Sequence, residues 1–258
     1  MKKNDRLCNR QCIKDGEAHE FDGPVKVVLI DELEHEERWR ILGAAFVGMA
    51  NMMMAANLAI IFLYALSYKE NAIYSAHCMF CTVGAQLCIP LSILVLHSMH
   101  GPSALMTRSQ RRKEHILFSL LGMVLAGPAA ALPFMDPREC TPTIHIYGAY
   151  GTGIAAVISV VTGLLVNFMK AEQTRPTFVS SVHRFWGMLV LLGSSFTYLT
   201  SIGGCRATMQ FWLYCIGREA PLYMIYFIVI FYNLVVLTIP GSKFLIYTKY
   251  NYDHACLC

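Results

Sequence analysis

The sequence predicts an all-α integral membrane protein, folded as a bundle of six transmembrane helices. Of its 258 residues, 55% are hydrophobic and only 15% are charged, whereas soluble domains carry about 25% charged residues. The apolar residues lie in runs longer than about 18 residues, the length that a membrane-spanning helix needs. The first forty residues are polar and contain no signal-peptide-like apolar segment, so we expect the first span to act as its own signal anchor.

The apolar runs divide the chain into two tails and one membrane domain. Residues 1–40 are predicted to form an N-terminal tail, 41–241 the membrane domain and 242–258 a C-terminal tail. Asn51 and Asn57 should face the interior of the bundle, because an amide in contact with lipid is costly. We expect the spans at residues 41–67, 72–97, 115–134, 144–169, 181–203 and 220–240.

The distribution of basic residues predicts the orientation in the membrane. Six spans place both termini on the same side. Of the 21 lysines and arginines, 17 fall on the side of the termini, and only four fall on the other side: Lys69, Arg138, Arg206 and Arg218. The positive-inside rule therefore predicts that both termini are cytoplasmic.

Each of spans 2 to 5 carries one histidine at its leading end: His77, His115, His145 and His183. Successive histidines are separated by 38, 30 and 38 residues, about one membrane crossing plus a turn. Because successive spans run in opposite directions, His77 and His145 should lie near the non-cytoplasmic face. His115 and His183 should lie near the cytoplasmic face.

Two pairs of imidazoles within the membrane suggest two metal sites, one near each face. Ionisable side chains in spans are rare and are usually functional. Apolar surroundings favour the neutral ring that a metal requires, and haem iron commonly takes axial histidine ligands. Glycines near the histidines could leave room for a porphyrin, although packing of helix on helix explains them equally well. The hypothesis is a transmembrane electron carrier.

Four segments around these histidines resemble the cytochrome b561 family. They are Tyr74-Ser75-Ala76-His77, Arg111-Arg112-Lys113-Glu114-His115, Ile144-His145-Ile146-Tyr147-Gly148 and Val182-His183-Arg184-Phe185-Trp186-Gly187. The likeness covers spans 2 to 5 well and spans 1 and 6 by pattern only. It is greatest to the divergent "cytochrome b561 domain-containing" branch, since the arginine-bearing motif of the other members is replaced by Leu96-His97-Ser98-Met99-His100.

The resemblance implies a transmembrane oxidoreductase with two b-type haems in a four-helix core. His77 and His145 would bind the non-cytoplasmic haem, and His115 and His183 the cytoplasmic one. Electrons would pass from cytosolic ascorbate to monodehydroascorbate or a ferric chelate across the bilayer. The family is compatible with a homodimer in the plasma membrane or in a vesicle, endoplasmic-reticulum or lysosomal membrane, and no nucleic-acid partner is expected.

Several other side chains are candidates for the site. Basic residues beside the cytoplasmic histidines could neutralise haem propionates or attract ascorbate, or could serve topology alone: Arg111, Arg112, Lys113 and Arg184. His97 and His100, one helical turn apart, are alternative ligands at that face. Cys140 could form a disulfide with Cys205 or Cys215 in an oxidising compartment.

Two other functions are compatible with the pattern. The histidines could shuttle protons in a small transporter or proton relay. They could also be inert side chains in a scaffolding membrane protein. Coordination of haem would distinguish the electron carrier from both alternatives.

Overall fold

The computed structural model describes residues 34–67, 72–97, 103, 105–135, 143–169, 178–204 and 222–238, and these residues contain helices and no strand. The chain divides into two units, Met1–Trp39 and Arg40–Cys258, and the packing described below belongs to the second. The predicted all-α class is therefore confirmed. The helices are α1 (Glu34–Ser67), α2 (Ala72–Leu94), α3 (Arg108–Ala131), α4 (Thr143–Met169), α5 (Phe178–Gly204) and α6 (Leu222–Thr238).

Helices α1 to α5 are long and apolar enough to cross a membrane. Their outer faces present large hydrophobic side chains such as Met52, Val124 and Phe168, which are 73%, 66% and 76% exposed. A surface of this kind suits lipid rather than water. Helix α6 is apolar but shorter in the part of the chain that is described. The chain is thus a multi-pass membrane protein, and the count of six spans stays a prediction.

Helix α2 contains a π-helical turn at Val83–Cys88. Its wider hydrogen bonding is seen where the N–H of Ile89 donates to the carbonyl of Gly84, five residues earlier. The turn ends just before Pro90, which has no N–H to continue an α-helical ladder. A π turn is an element that often marks functional sites.

Helix α3 begins earlier than the apolar run predicts. The predicted span starts at His115, but the helix starts at Arg108, so the basic residues before His115 are helical. Thr107 caps the helix, because its hydroxyl accepts from the N–H of Gln110 while the Gln110 side chain accepts from the Thr107 N–H at 2.8 Å. This reciprocal capping box satisfies two backbone N–H groups at the helix start. The basic candidates Arg111, Arg112 and Lys113 therefore lie in ordered helix.

Helix α2 packs closely against α3, and α4 packs closely against α5. The first contact depends on Gly84 and Gly122: a Cβ added at Gly84 would lie 2.6 Å from the carbonyl oxygen of Gly122. The second depends on Gly148 and Gly193, which face Thr197 and Thr152 on the opposite helix. Small residues let two membrane helices approach closely without a hydrophobic driving force.

The largest apolar core joins α1 and α6 to α2 and α5. Met54 of α1, Leu94 of α2, Leu191 of α5 and Ile225 of α6 are members of this cluster and are essentially inaccessible to solvent. Asn57 is also fully buried, as predicted for an amide that avoids lipid, and Asn51 is half-buried. The outer helices α1 and α6 thereby pack against one side of the histidine-bearing helices α2 and α5.

Replacing Gly84 with alanine is expected to destabilise the protein. The new methyl group would lie 2.6–2.9 Å from the backbone of Gly122 and from Ala126, and backbone cannot move aside as a flexible side chain can. Overpacking of this kind costs about 1–3 kcal/mol. Thermal unfolding of the purified protein in detergent should show a lowered midpoint. Gly127→Ala is the matched control, since nothing lies within 4 Å of a Cβ at Gly127; equal midpoints for the two variants would contradict the close contact.

Candidate functional site

His77 of α2 and His145 of α4 are brought together by the fold. Their ring centroids are 6.3 Å apart, and the ring planes are inclined at 85°. The two residues are 68 positions apart in the sequence and occupy the sixth and third positions of their helices. The leading ends of α2 and α4 therefore lie at the same end of the bundle, as the alternation of the histidines predicts.

His115 of α3 and His183 of α5 form a second pair. Their ring centroids are 6.1 Å apart, and their planes are inclined at 82°. The near-identical geometry of two pairs on four different helices shows that the pairing is a repeated feature of the bundle. The structure thus joins all four predicted histidines in the predicted combinations, and their role as ligands stays a prediction.

Each of the four imidazoles is held by a backbone carbonyl of a neighbouring helix. The Nδ1–O distances are 2.7–2.9 Å, and the acceptors are Ala129 for His77, Ser92 for His115, Thr197 for His145 and Ser159 for His183. A carbonyl oxygen can only accept, so each Nδ1 must carry the hydrogen. The lone pair of the neutral ring then lies on Nε2. Metal-bound histidines are commonly oriented in this way through the nitrogen that does not bind the metal.

These bonds connect antiparallel helices reciprocally. His77 near the start of α2 donates to Ala129 near the end of α3, and His115 near the start of α3 donates to Ser92 near the end of α2. Helices α4 and α5 exchange bonds in a similar way through His145 and His183. Ser92 follows His77 by 15 residues, or about 20–22 Å of helix. The two histidine pairs therefore lie at different depths, roughly two-thirds of a bilayer core apart.

The distances within each pair fit two ligands of one metal. An imidazole nitrogen binds a metal at about 2.0–2.1 Å, and the ring centre lies about 1.1 Å beyond it, so opposed ligands have centroids about 6.3 Å apart. The measured values are 6.3 and 6.1 Å. The described residues contain no group of three or more His, Cys, Asp or Glu side chains suited to a bare metal ion. Two imidazoles alone suit a metal whose remaining ligands come from a macrocycle, as in haem.

Glycines near the histidines have different roles. Gly84, Gly122 and Gly148 provide close helix contacts, which is the packing explanation. Gly151 and Gly153 have nothing within 4 Å of an added Cβ, so no described helix packs on them. Gly163, which we did not predict, makes room for the His183 ring: its Cβ would lie 2.9 Å from Cε1 of His183. Its position 18 residues after His145 carries no signal in the sequence that would relate it to α5.

The predicted basic residues lie at the end of the bundle that holds His115 and His183. Arg111 and Arg112 precede His115 by about one helical turn and are half-buried, while Lys113 is exposed. Arg184 directly follows His183 and is exposed. Four positive charges therefore lie within four residues of one histidine pair in the sequence: Arg111, Arg112, Lys113 and Arg184.

Cys78 and Cys81 stand at a Cys-x-x-Cys spacing directly after His77 and were not predicted to belong to the site. The Sγ of Cys81 lies 3.6 Å from Nδ1 of His77 and 3.9 Å from the carbonyl oxygen of Ala126. Cys81 is a free thiol. The spacing of the two cysteines in the sequence is the signal that could have found them. In the structure the Cys81 thiol therefore lies beside the nitrogen of His77 that donates to Ala129.

Some predicted residues lie outside the described part of the chain: the tails before residue 34 and after 238, His100, Lys69, Arg138, Arg206, Arg218 and the cysteines Cys140, Cys205 and Cys215. His97 lies at the bend that follows α2. It belongs to neither ring pair. No protein-family model, curated protein or solved structure matches the chain, so the likeness to the cytochrome b561 family rests on the four segments quoted above and stays a prediction.

Proposed function

We propose that the protein transfers single electrons across a membrane as a dihaem b-type cytochrome. The observation that carries the proposal is the repeated geometry of two histidine pairs, 6.3 and 6.1 Å between centroids, at two depths of one helix bundle. All four rings share one tautomer, set by carbonyl acceptors on neighbouring helices. Inert buried histidines have no reason to repeat this arrangement on four separate helices.

The contribution of the chain is to hold ligands and to exclude water. His77 and His145 would hold one haem and His115 and His183 the other, each through Nε2, since Nδ1 donates to a carbonyl. Bound haem iron would supply the one-electron couple that amino acid side chains lack. The carbonyl bonds make each imidazole more basic and fix its plane, and apolar burial sets the local dielectric. No side chain has to form a covalent bond with the substrate.

The positive charges at one end identify the expected side of electron entry. Arg111, Arg112, Lys113 and Arg184 stand beside the His115–His183 pair, which the positive-inside rule assigns to the cytoplasm. A cluster of cations raises the local concentration of an anion such as ascorbate. Ascorbate would give up one electron and one proton there and leave as monodehydroascorbate. The same cations could also neutralise haem propionates.

The acceptor would be reduced at the opposite face, beside the His77–His145 pair. Monodehydroascorbate would take up one electron and one proton to become ascorbate, or a ferric chelate would take up one electron to become ferrous. The resemblance to the cytochrome b561 family supports both acceptors equally. It also supports a homodimer in the plasma membrane or in a vesicle, endoplasmic-reticulum or lysosomal membrane, with both termini in the cytoplasm.

A proton relay is the alternative function, and the carbonyl bonds weigh against it. A relay histidine takes a proton on one nitrogen and releases one from the other. In all four histidines here Nδ1 is committed to a backbone carbonyl at 2.7–2.9 Å, and a peptide carbonyl cannot carry the proton onward. The geometry therefore suits a fixed ligand better than a proton carrier.

The absorption spectrum of the purified full-length protein tests the proposal. After expression with a haem precursor, the dithionite-reduced protein should show sharp α and β bands and about two haems per chain. Ascorbate, mixed rapidly with the oxidised protein, should then produce the same bands. A colourless protein would exclude the dihaem cytochrome, whereas bands that appear with dithionite and never with ascorbate would exclude only the donor.

A further inference from the structure

Four polar side chains from three helices meet inside the bundle. Gln86 lies in the π-helical turn of α2, Ser195 lies on α5, and Tyr232 and Asn233 lie on α6. Gln86 is 2% exposed, Tyr232 is fully buried, and Ser195 and Asn233 are each 6% exposed. Burying polar groups in a membrane interior is costly unless they are hydrogen-bonded. We call this set the Gln86 cluster.

The hydrogen bonds of the Gln86 cluster have a fixed direction. The hydroxyls of Tyr232 and Ser195 both donate to Oε1 of Gln86, the latter at 3.4 Å. Nδ2 of Asn233 donates to the hydroxyl oxygen of Ser195 at 2.9 Å and to the carbonyl oxygen of Val229 at 2.7 Å. Because the amide oxygen of Gln86 can only accept, neither hydroxyl can reverse its donation. The cluster therefore ties α6 to α2 and α5.

Two polar atoms of the Gln86 cluster form no hydrogen bond with the described residues. Nε2 of Gln86 and Oδ1 of Asn233 are buried and have no hydrogen-bond partner among the described residues. One is a donor and the other an acceptor, and Ser195 joins the two side chains that carry them. Nδ2 of Asn57 is a third such atom, on the amide that accepts from the hydroxyl of Tyr198 at 2.7 Å. A buried polar atom without a protein partner calls for a bound molecule.

The chemistry of these atoms selects water as that molecule. A cation needs several oxygen ligands, but Oδ1 of Asn233 is the one amide oxygen of the cluster that accepts no bond from the described residues. An anion needs positive charge or several N–H donors, and the cluster is neutral. Water can accept from Gln86 and donate to Asn233 at once, and buried waters make about three such bonds. We propose that the Gln86 cluster is a hydration site within the membrane that binds one or two water molecules.

The hydration site lies close in sequence to the carbonyl that holds His145. Ser195 and Thr197 lie within one turn of α5, and the carbonyl of Thr197 accepts from His145. Gln86 lies within the π-helical turn of α2, and π turns are frequent at functional sites. The bound water would thus complete a polar junction of α2, α5 and α6 beside the support of one histidine pair. The proposal stands whether or not haem binds.

Transfer of magnetisation from water to side-chain amides, measured by solid-state NMR, tests the hydration site. The full-length protein, labelled with ¹⁵N-glutamine, is reconstituted in phosphatidylcholine bilayers. The Nε2 signal of Gln86, assigned by its loss in Gln86→Leu, should show a strong cross-peak with water. Gln110, which is exposed at the start of α3, serves as the internal reference. A Gln86 signal without transfer from water in the unsubstituted protein would overturn the proposal, whatever the variants do.

Asn233→Leu provides the second arm. It removes the acceptor of the proposed water and keeps a side chain of similar size. The water cross-peak of Gln86 should fall at least threefold relative to that of Gln110. An unchanged ratio would show that Asn233 does not help to hold the water and would overturn the site as described. The matched control is Thr162→Val, because Thr162 bonds only to carbonyls of its own helix in the described residues, and its ratio should stay unchanged.

Discussion

Alanine at His77 or at His145 is expected to remove the same haem and to leave the other in place. Each variant should bind about one haem per chain instead of two, because an iron with one axial imidazole loses half of its protein ligands. The remaining signal should be the same in both variants. His115→Ala and His183→Ala should retain the complementary haem. Haem content per chain and the electron paramagnetic resonance spectrum of the oxidised protein measure the two outcomes.

Double variants and His97→Ala complete the test. His77→Ala combined with His145→Ala should lose no more haem than either change alone, since two residues that act as a unit are not additive. His97→Ala should retain both signals, because the ring that faces His183 is that of His115. If His77→Ala and His115→Ala removed the same signal, the assignment of one haem to His77 and His145 and of the other to His115 and His183 would be wrong.

The pairing of the histidines could be predicted because it depends only on the order and the direction of the helices. Apolar runs give the number and order of helices, and alternating direction then places His77 with His145 and His115 with His183. Neither step requires the register of one helix against another. The all-α membrane class follows from the same runs. The start of α3 at Arg108 was missed because the apolar run begins only at His115. The capping-box spacing of Thr107 and Gln110 could have indicated the earlier start.

Features that depend on helix register could not be predicted. The carbonyls of Ala129 and Ser92 are backbone atoms, which no sequence pattern marks as acceptors for a histidine 52 or 23 residues away. The π turn at Val83–Cys88 differs from an α-helical turn by a single additional residue. Within the apolar run of the sequence, no pattern marks Gln86 as a buried residue. The role of Gly163 depends in the same way on how α4 meets α5.

Alanine at Gly163 is expected to displace His183 and to release the haem of the His115–His183 pair. The added Cβ would lie 2.9 Å from Cε1 of the His183 ring, closer than real Cβ contacts, and 3.1 Å from its Nδ1. The ring cannot simply turn away, since its Nδ1 donates at 2.9 Å to the carbonyl of Ser159, which lies on α4 one turn before Gly163. Overpacking costs about 1–3 kcal/mol, which corresponds to roughly 5- to 150-fold weaker haem affinity.

The control for this change lies on the same helix. Gly151→Ala adds the same methyl group to α4, where nothing lies within 4 Å, so both haems should remain. Titration of each haem-depleted variant with haemin, followed by the absorbance of the reduced bands, separates the two affinities. In Gly163→Ala only the site that His115→Ala also abolishes should weaken. Equal weakening of both sites would indicate a general loss of folding, and wild-type affinity at both would show that His183 does not depend on the space that Gly163 leaves. Because the effect passes through one ring and one carbonyl bond, it tests the orientation of the ligand separately from its presence.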